Sequence, residues 1–241
     1  PQRRHHTKGA KYVGAYVKEP QVGQHEWIMS FDLNSLYPHL IMQYNISLET
    51  LIKQQFPDSI SIDRLLNKEV NTDVLGDKLT VTPNGACFRT DIRGFLPELM
   101  EKYYTDRTKF KGYLLEAKQN YEDTKDRKYL SQISTYHNIQ MARKIALNSA
   151  YGALGNEYFR YYDERMATAI TTSGQLSIRW IESRVNKYLN DILKTDNIDY
   201  IVASDTDSIY VRFKELVDKV NPKNPIEFLN KVAEEKLQPF I

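Results

Sequence analysis

The chain has 241 residues, of which 41% are hydrophobic and 27% charged, and its formal net charge is +2 at pH 7. These values are typical of a globular protein with a substantial core, and the charge is too small to indicate a nucleic-acid partner by itself. No apolar run approaches the roughly 20 residues that span a bilayer, and the basic N-terminus lacks the apolar segment of a signal peptide. Because the single cysteine, Cys87, excludes an intrachain disulfide, we expect a cytoplasmic protein without a membrane partner.

The first predicted strand is the segment EWIMSFDL at 26–33, and the predicted helix LYPHLIMQY follows it. Ser35 is the predicted N-cap, and Pro38 falls in the first turn, where proline costs little. Asp32 therefore ends a strand directly before a helix N-terminus, whose free N–H groups favour phosphate. A carboxylate suits that position if a divalent cation bridges it to the phosphate. The alternative is that Asp32 only helps to cap the helix.

Two long, charged helices are predicted at 96–124 and 131–151. They follow a stretch at 48–80 that has no regular pattern and a short hairpin around Pro83-Asn84-Gly85. The mixed segment EDTKDRK joins the helices, which indicates an antiparallel pair. Basic side chains crowd this part of the chain: Lys102, Arg107, Lys109, Lys111, Lys118, Lys125, Arg127 and Lys128. Taken alone, such a run is typical of a solvated helix face.

One helical face in RKIALNSAYGALGN carries Lys144, Asn148 and Tyr151 at spacings of four and three residues. This face presents a cation, an amide and an aromatic ring in a line. Such a line could bind a triphosphate at one end and a base at the other. Arg107 and Lys111 form a similar face on the preceding helix and can approach Lys144 if the two helices pair. The alternative for each of these residues is that it simply faces solvent.

Near the C-terminus, the segment DYIVASDTDSIYV places Asp205 and Asp207 within a pattern that favours a strand. A strand alternates faces every residue, so both carboxylates would point the same way and would repel each other unless a cation lies between them. The alternative is a hairpin turn, in which aspartate is common. In the order of predicted elements, a third long helix at 164–193 comes first, a β-hairpin that contains DTD follows, and an amphipathic helix at 225–241 comes last. The order of elements indicates an α+β fold.

Three segments, in this order, resemble the polymerase motifs of family B DNA polymerases. DLNSLYPHLI is similar to the Asp-x-x-Ser-Leu-Tyr-Pro pattern, KIALNSAYG to Lys-x-x-x-Asn-Ser-x-Tyr-Gly, and DTDS to the third motif. YVGAYV at 12–17 resembles the segment that leads into the polymerase domain. ALGNEYFRYYD and AITTSGQLSIRWIE look most similar to the replicative polymerases of T4-like bacteriophages. The resemblance extends from about residue 11 to residue 241.

This resemblance implies a palm, built from an antiparallel sheet with packed helices, and an inserted antiparallel helix pair that forms the fingers. The implied borders are a lead-in segment at 1–24, a palm at 25–96 and 156–241, and fingers at 97–155. The exonuclease and thumb domains of the family have no counterpart in the sequence. We therefore expect a fragment or a split part of a longer phage replicative polymerase, located in the host cytoplasm if a phage encodes it.

The resemblance also implies a role for individual residues. The catalytic residues would be Asp32, Asp205 and Asp207. Two Mg²⁺ ions, with Mn²⁺ able to substitute, would be bound by Asp32, Asp207 and the backbone carbonyl of Leu33, with Asp205 supporting the site. The incoming triphosphate would be bound by Arg107, Lys111, Lys144, Asn148 and the amides of Ser35, Leu36 and Tyr37. The ring of Tyr37 would exclude a 2′-hydroxyl, and the nascent base pair would be lined by Leu36, Ile145, Ser149 and Tyr151.

The sequence departs from the family at two points near these motifs. His39 stands where the family usually has a small serine, and Ala203-Ser204 replaces the usual Tyr-Gly before DTDS. Because glycine turns easily, Ser204 could stiffen or crowd the turn, so we expect altered contacts at the primer end. The loop between the finger helices is also short for a T4-like polymerase.

The predicted function is DNA-templated transfer of a dNTP to a primer 3′-hydroxyl by a two-metal mechanism. The predicted partners are primer–template DNA, dNTP and the missing exonuclease and thumb regions on the same or another chain, with a sliding clamp as a further candidate. One alternative is a non-catalytic module that binds nucleic acid or a partner chain. Another is a metal-dependent phosphohydrolase that uses the same acids without a template.

Overall fold

The structure is a computed structural model that describes residues 13–56 and 60–239. The first half of the predicted lead-in segment therefore lies outside the described residues. Contacts along the chain define two compact units. Of the described residues, one unit contains 13–14, 35–56 and 60–173, and the other contains 15–34 and 174–239. We call them the helical unit and the sheet unit. The borders predicted at 24, 96 and 155 do not coincide with this division and stay a prediction.

The sheet unit is built on four antiparallel strands. These are β1 (Val17–Lys18), β2 (Ile28–Asp32), β6 (Ile201–Asp205) and β7 (Ser208–Arg212), in the spatial order β1-β6-β7-β2. Side chains on β7 alternate, so that Ile209 and Val211 are buried whereas Tyr210 is exposed. The buried side of the sheet packs with apolar residues of the C-terminal part of α5 (Glu164–Leu193), α6 (Lys214–Val220) and α7 (Pro225–Val232), which continues as a π-helical turn at Ala233–Leu237.

The helical unit contains a second, three-stranded antiparallel sheet. Its strands β3 (Leu51–Gln55), β4 (Leu79–Val81) and β5 (Ala86–Arg89) are arranged β3-β5-β4. The short helix α2 (Ile62–Leu66) and a 3₁₀ helix at Asp73–Lys78 lie between β3 and β4. The stretch predicted to be irregular thus contains β3, α2, the 3₁₀ helix and the start of β4, which are all too brief to produce a readable hydrophobic period. The hairpin predicted around Pro83-Asn84-Gly85 is confirmed as β4–β5.

The helical unit also contains α1 (Leu36–Gln43) and the long helices α3 (Phe95–Thr124) and α4 (Lys128–Leu154). Only three residues separate α3 from α4, which confirms the predicted helix pair. The rings of Phe110, Tyr113 and Tyr136 meet between the two helices, with centroids 5.5–6.1 Å apart. An α+β architecture of antiparallel sheets and packed helices is therefore present. No helix in the described ranges is both long enough and apolar enough to cross a membrane.

The start of α3 is fixed by a polar cluster in the loop that follows α1. The Asn45 side chain donates to the carbonyls of Arg89 and Ile92 and accepts from the Gly94 amide at 2.9 Å. A β-carbon added to Gly94 would lie only 2.6 Å from the Ser47 β-carbon. No side chain can therefore enter this contact unless the loop or α3 moves.

Substituting Gly94→Ala should lower the free energy of unfolding by about 1–3 kcal/mol, because the added methyl overpacks a closed contact. Gly112→Ala is the matched control, since Gly112 lies within α3 and has no atom within 4 Å of its added β-carbon. That change should raise stability by about 0.5–1 kcal/mol through the helix preference of alanine. Urea denaturation measures the free energy of unfolding of both variants. Equal changes in the two would contradict a closed contact at Gly94.

Candidate active site

Three carboxylates meet at one end of the four-stranded sheet. Asp32 is the last residue of β2, Asp205 is the last residue of β6, and Asp207 lies in the two-residue turn that leads into β7. In the strand register, Ser208 at the start of β7 is paired with Asp32 on one side and with Asp205 on the other. The sheet thus brings together residues that are more than 170 positions apart in the chain.

The turn between β6 and β7 has a constrained backbone. Thr206 has a φ of 55°, a left-handed conformation that is unusual for a β-branched residue. Its amide donates to the carbonyl of Tyr16 at 3.0 Å, and the Asp207 amide donates to the Asp205 carbonyl at 2.6 Å. The Asp207 carbonyl in turn accepts from the Leu33 amide at 2.8 Å. The turn is therefore hydrogen-bonded to the segments on both sides of it.

The sequence left open a continuous strand with both acids on one face and a β-hairpin that contains them, and the structure shows the hairpin. The strand ends at Asp205, and the left-handed Thr206 redirects the chain before Asp207. The alternative of a hairpin turn is correct for the backbone. The turn nevertheless brings the carboxylates together, because Asp32 joins them from the neighbouring strand.

The carboxylates influence one another electrostatically. The pKa of Asp207 is raised, first by partial burial and then by the negative charges of Asp32 and Asp205. Like charges held in this way are stabilised by a cation. Among the described residues, no group of three or more His, Cys, Asp or Glu side chains is arranged as a metal-binding cluster. Mg²⁺ often takes only one or two carboxylates and fills its remaining positions with water and phosphate oxygens, so this donor set fits it.

Ser35 and Arg107 form the first part of the candidate phosphate site in the helical unit. Ser35 occupies the N-cap position of α1, as predicted, but its φ is 57° and its side chain makes no capping hydrogen bond. Its hydroxyl instead accepts a hydrogen bond from Nη1 of Arg107 at 3.1 Å. Nε of Arg107 is buried and has no partner among the described residues. A guanidinium with an unused donor thus lies beside a helix N-terminus, where anions are favoured.

The pairing of α3 with α4 determines where the predicted cationic side chains lie along the helix axes. Arg143 Nε lies 3.8 Å from Asp106 Oδ2, which aligns these two residues across the helix pair. With a rise of 1.5 Å per residue, Arg107 and Lys144 are about 3 Å apart along the helix axes, whereas Lys111 and Lys144 are about 9 Å apart. Arg107 and Lys144 therefore lie at one level, and Lys111 lies one helical turn beyond Arg107.

The predicted face of α4 is open to solvent along most of its length. Lys144, Ile145, Asn148 and Ser149 are exposed, and the ring of Tyr151 packs on Tyr37 with centroids 4.7 Å apart. The Leu36 side chain is buried, so its amide, rather than its side chain, is suited to face a ligand.

The predicted residues fall into two groups. The carboxylates and Leu33 belong to the sheet unit, and all residues predicted to bind the nucleotide or line the base pair belong to the helical unit. The chain passes from one unit to the other between Asn34 and Ser35, only a few residues after Asp32. The roles assigned to both groups stay predictions.

The two departures from the family pattern have specific contacts. Nδ1 of His39 donates to the Ser35 carbonyl at 2.9 Å, and its ring meets the Tyr104 ring edge-on at 4.5 Å. The Ser204 hydroxyl is buried and donates to Glu182 Oε1 at 2.5 Å. Glu182 and Tyr16 were both missed by the sequence analysis. The signal for Glu182 was an acid inside the apolar stripe of α5, beside Ile181.

Without metal, Asp207→Asn should stabilise the protein at pH 7, because it removes a charge that burial and two neighbours disfavour. A carboxyl whose pKa is raised on folding contributes fully to stability below its ordinary pKa, and this contribution is lost as pH rises through the raised value. The gain should therefore grow from pH 4 to pH 7 and stay below about 1 kcal/mol, since solvent screens the site.

Urea denaturation in EDTA measures this gain, with Asp191→Asn, an exposed acid on α5, as the control. Adding Mn²⁺ should reverse the order, because the cation stabilises the wild-type carboxylates more than the variant. A gain that is equal for Asp191→Asn, or independent of pH, would contradict repulsion at this turn.

Comparison with known proteins places this geometry in a family. Residues 1–235 match the family described as DNA polymerase family B. The DNA-directed DNA polymerase of Escherichia phage RB69 is 34% identical over 290 residues, which cover 100% of this chain and 31% of the relative. The corresponding enzyme of Enterobacteria phage T4 is 33% identical over 288 residues, covering 100% of this chain and 32% of the relative.

A more distant relative is DNA polymerase 1 of Pyrococcus abyssi strain GE5, which is 31% identical over 219 residues, covering 89% of this chain and 24% of the relative. The chain thus spans less than a third of the length of these relatives. The match nevertheless extends over nearly all of the sequence and includes all three carboxylates. This chain belongs to DNA polymerase family B.

Proposed function

We propose that this chain carries the catalytic centre of a DNA-directed DNA polymerase, which transfers a dNTP to a primer 3′-hydroxyl under the direction of a template. The observation that carries the proposal is the convergence of Asp32, Asp205 and Asp207 at one sheet end in a family B chain. We further propose that the sheet unit corresponds to a palm and the α3–α4 pair to fingers.

The carboxylates of Asp32 and Asp207, with the Leu33 carbonyl, would hold two Mg²⁺ ions, and Asp205 would support the site. When bound, the two ions would neutralise charge on the attacking and leaving oxygens of an in-line displacement. The raised pKa of Asp207 supports this role, because burial and the charges of Asp32 and Asp205 disfavour its ionised form and a bound cation would favour it. Mn²⁺ would substitute because it accepts the same oxygen ligands.

The helical unit would bind the triphosphate. Arg107 and Lys144 lie at the same level of the helix pair and would bind phosphate oxygens, with Lys111 reaching from one turn away and Asn148 from the next turn of α4. Arg107 is already held at the N-terminus of α1 by Ser35. The amides of Ser35, Leu36 and Tyr37 would add donors there. Phosphoryl transfer needs mainly such positioning and charge neutralisation.

The aromatic pair Tyr37–Tyr151 would face the sugar and the base. Tyr37 would exclude a 2′-hydroxyl, and its ring is supported by Tyr151 at 4.7 Å. Ile145 and Ser149, both exposed on α4, would complete the surface against the nascent base pair together with the backbone of Leu36, whose side chain is buried.

The proposed partners are primer–template DNA and dNTP, and regions that supply exonuclease and thumb functions on this or another chain. A sliding clamp is a further candidate. We propose that this polymerase core acts in the cytoplasm of a phage-infected host. DNA binding by these residues alone should be weak and strongly salt-dependent, because few phosphate contacts are available.

Single-nucleotide incorporation on a primer–template tests the proposal, with protein in excess, low salt and Mg²⁺ or Mn²⁺. The wild type should add one dNTP, and Asp207→Ala should lower the rate by at least about a hundredfold, because the metal ligands are incomplete. Asp191→Asn should keep the wild-type rate. No extension under these conditions would contradict a complete catalytic centre, and phosphate release without primer would favour a phosphohydrolase.

Substituting Tyr37→Ala should raise the ratio of rNTP to dNTP incorporation by about 10- to 100-fold, because the ring no longer occupies the space of a 2′-hydroxyl. Tyr37→Phe keeps the ring and should preserve the ratio. The ratio comes from single-turnover rates with both nucleotides. If the alanine variant folds and its ratio is unchanged, Tyr37 does not select the sugar.

A further inference from the structure

Glu182 is a buried carboxylate in the core of the sheet unit. It lies on α5, only 9% exposed, beside Ile181 and one turn from Ile178 and Val185. Oε1 accepts from the Ser204 hydroxyl at 2.5 Å, and Oε2 accepts from the Tyr16 hydroxyl at 3.4 Å. Burying a carboxylate is unfavourable, and an apolar residue would complete the stripe at lower cost. Its presence calls for a role beyond packing.

Both partners of Glu182 are connected to the turn that carries the acids. Ser204 directly precedes Asp205 on β6, and the carbonyl of Tyr16 accepts the hydrogen bond of the Thr206 amide at 3.0 Å. Strand β1 continues the connection, because Val17 pairs with Asp205 and Lys18 with Ser204. One carboxylate on α5 therefore ties together the two segments that hold the turn.

The protonated state of the Tyr16 hydroxyl supports its role as a donor to Glu182. Burial and the neighbouring Glu182 charge raise the pKa of the Tyr16 phenol, so that it stays protonated and can donate. The Arg179 guanidinium, 5.9 Å from the Tyr16 ring, opposes that shift but does not outweigh it. Glu182 thus has two donors, one from each segment, and the bond from Ser204 is the shorter.

The turn needs support from outside. Thr206 holds a backbone conformation that β-branched residues avoid, and the charges of Asp32, Asp205 and Asp207 repel. Within the turn, the hydrogen bond from Asp207 to Asp205 and that from the Thr206 hydroxyl to Asp205 Oδ1 both stay local. The contacts through Tyr16 and Ser204 attach the turn to a long helix.

We propose that Glu182 is a positioning residue that holds the Asp205–Asp207 turn through Ser204 and Tyr16, so that Asp205 and Asp207 are presented in the geometry that binds metal. The role in catalysis rests on the function proposed above. The effect on the turn itself does not, because it is a property of the folded chain. Ser204 is then a working part of the site, and not a residue that merely crowds it.

Backbone amide exchange is the first test, because it needs neither activity nor metal. In Ser204→Ala and Glu182→Ala, the Thr206 amide should exchange about five- to tenfold faster, while amides in the middle of β7 keep their protection. Glu182→Gln keeps one acceptor and gains a donor, and should restore part of the protection. Thr195→Ala is the control, since it removes a hydroxyl that bonds Tyr200, just before the opposite end of β6.

Two further measurements link the turn to the metal and to the reaction. Calorimetric titration with Mn²⁺ should give an affinity several-fold weaker for Ser204→Ala than for the wild type or Thr195→Ala. In nucleotide incorporation, kcat should fall several-fold while KM for dNTP stays within about twofold, because the nucleotide-binding residues belong to the helical unit.

The outcomes separate the two proposals. Unchanged exchange at Thr206 in folded Ser204→Ala and Glu182→Ala overturns the positioning role, and so does an increase shared by every amide of the sheet unit, which would indicate a general loss of stability. If the exchange and Mn²⁺ affinity change as expected but the wild type adds no nucleotide, the polymerase proposal fails and the positioning of the turn stands.

Discussion

The repulsion among three carboxylates at the end of one sheet is the constraint on which the sheet unit depends. Strand pairing fixes Asp32 and Asp205 on either side of Ser208, and the turn adds Asp207 beside them. The stability that opposes this repulsion comes from the apolar core on the buried side of the sheet, where Ile209 and Val211 of β7 pack against α5 and the C-terminal helices. Two strands without such a core would be only marginally stable, and the repulsion of the acids would push them apart. Packing of the sheet on its core is therefore needed at the end where the acids lie.

The elements with strong local patterns could be predicted from the sequence. The pair α3–α4 and the helix at 164–193 are long enough for their periodicity to be read, and the hairpin around Asn84 has turn residues in fixed order. The short strand β1 could not be predicted, because two residues carry no period and its pairing with β6 is decided by residues far away in the chain. The turn preference of aspartate indicated a hairpin as one of two possibilities, but it did not fix where the strand ends, since the amide of the left-handed Thr206 is held by the carbonyl of Tyr16, far away in the chain.

The candidate site was predictable in composition and less so in arrangement. The three acids, the cations and Tyr37 stand in recognisable segments, and the resemblance of those segments to the family, rather than spacing alone, implies metal and phosphate binding. The arrangement depends on contacts that no spacing contains: Arg107 bonds to Ser35, and Arg143 aligns α4 with α3 through Asp106. These contacts bring Arg107 and Lys144 to one level and leave Lys111 a turn away, a distinction between two lysines that look equivalent in the sequence.

Ser204 shows how a departure from a family pattern can be compensated. A glycine before the acidic turn would make the backbone permissive, whereas a serine restricts it and adds a polar group that must be satisfied when buried. Here the hydroxyl is satisfied by Glu182, whose second oxygen bonds to Tyr16, and Tyr16 holds the amide of the strained Thr206. The restricted backbone of Ser204 and the hydrogen bond to Glu182 thus both limit movement of the turn. The side chain expected to crowd the turn is the one that connects it to α5, and the acids repel one another on a backbone that this connection keeps from opening.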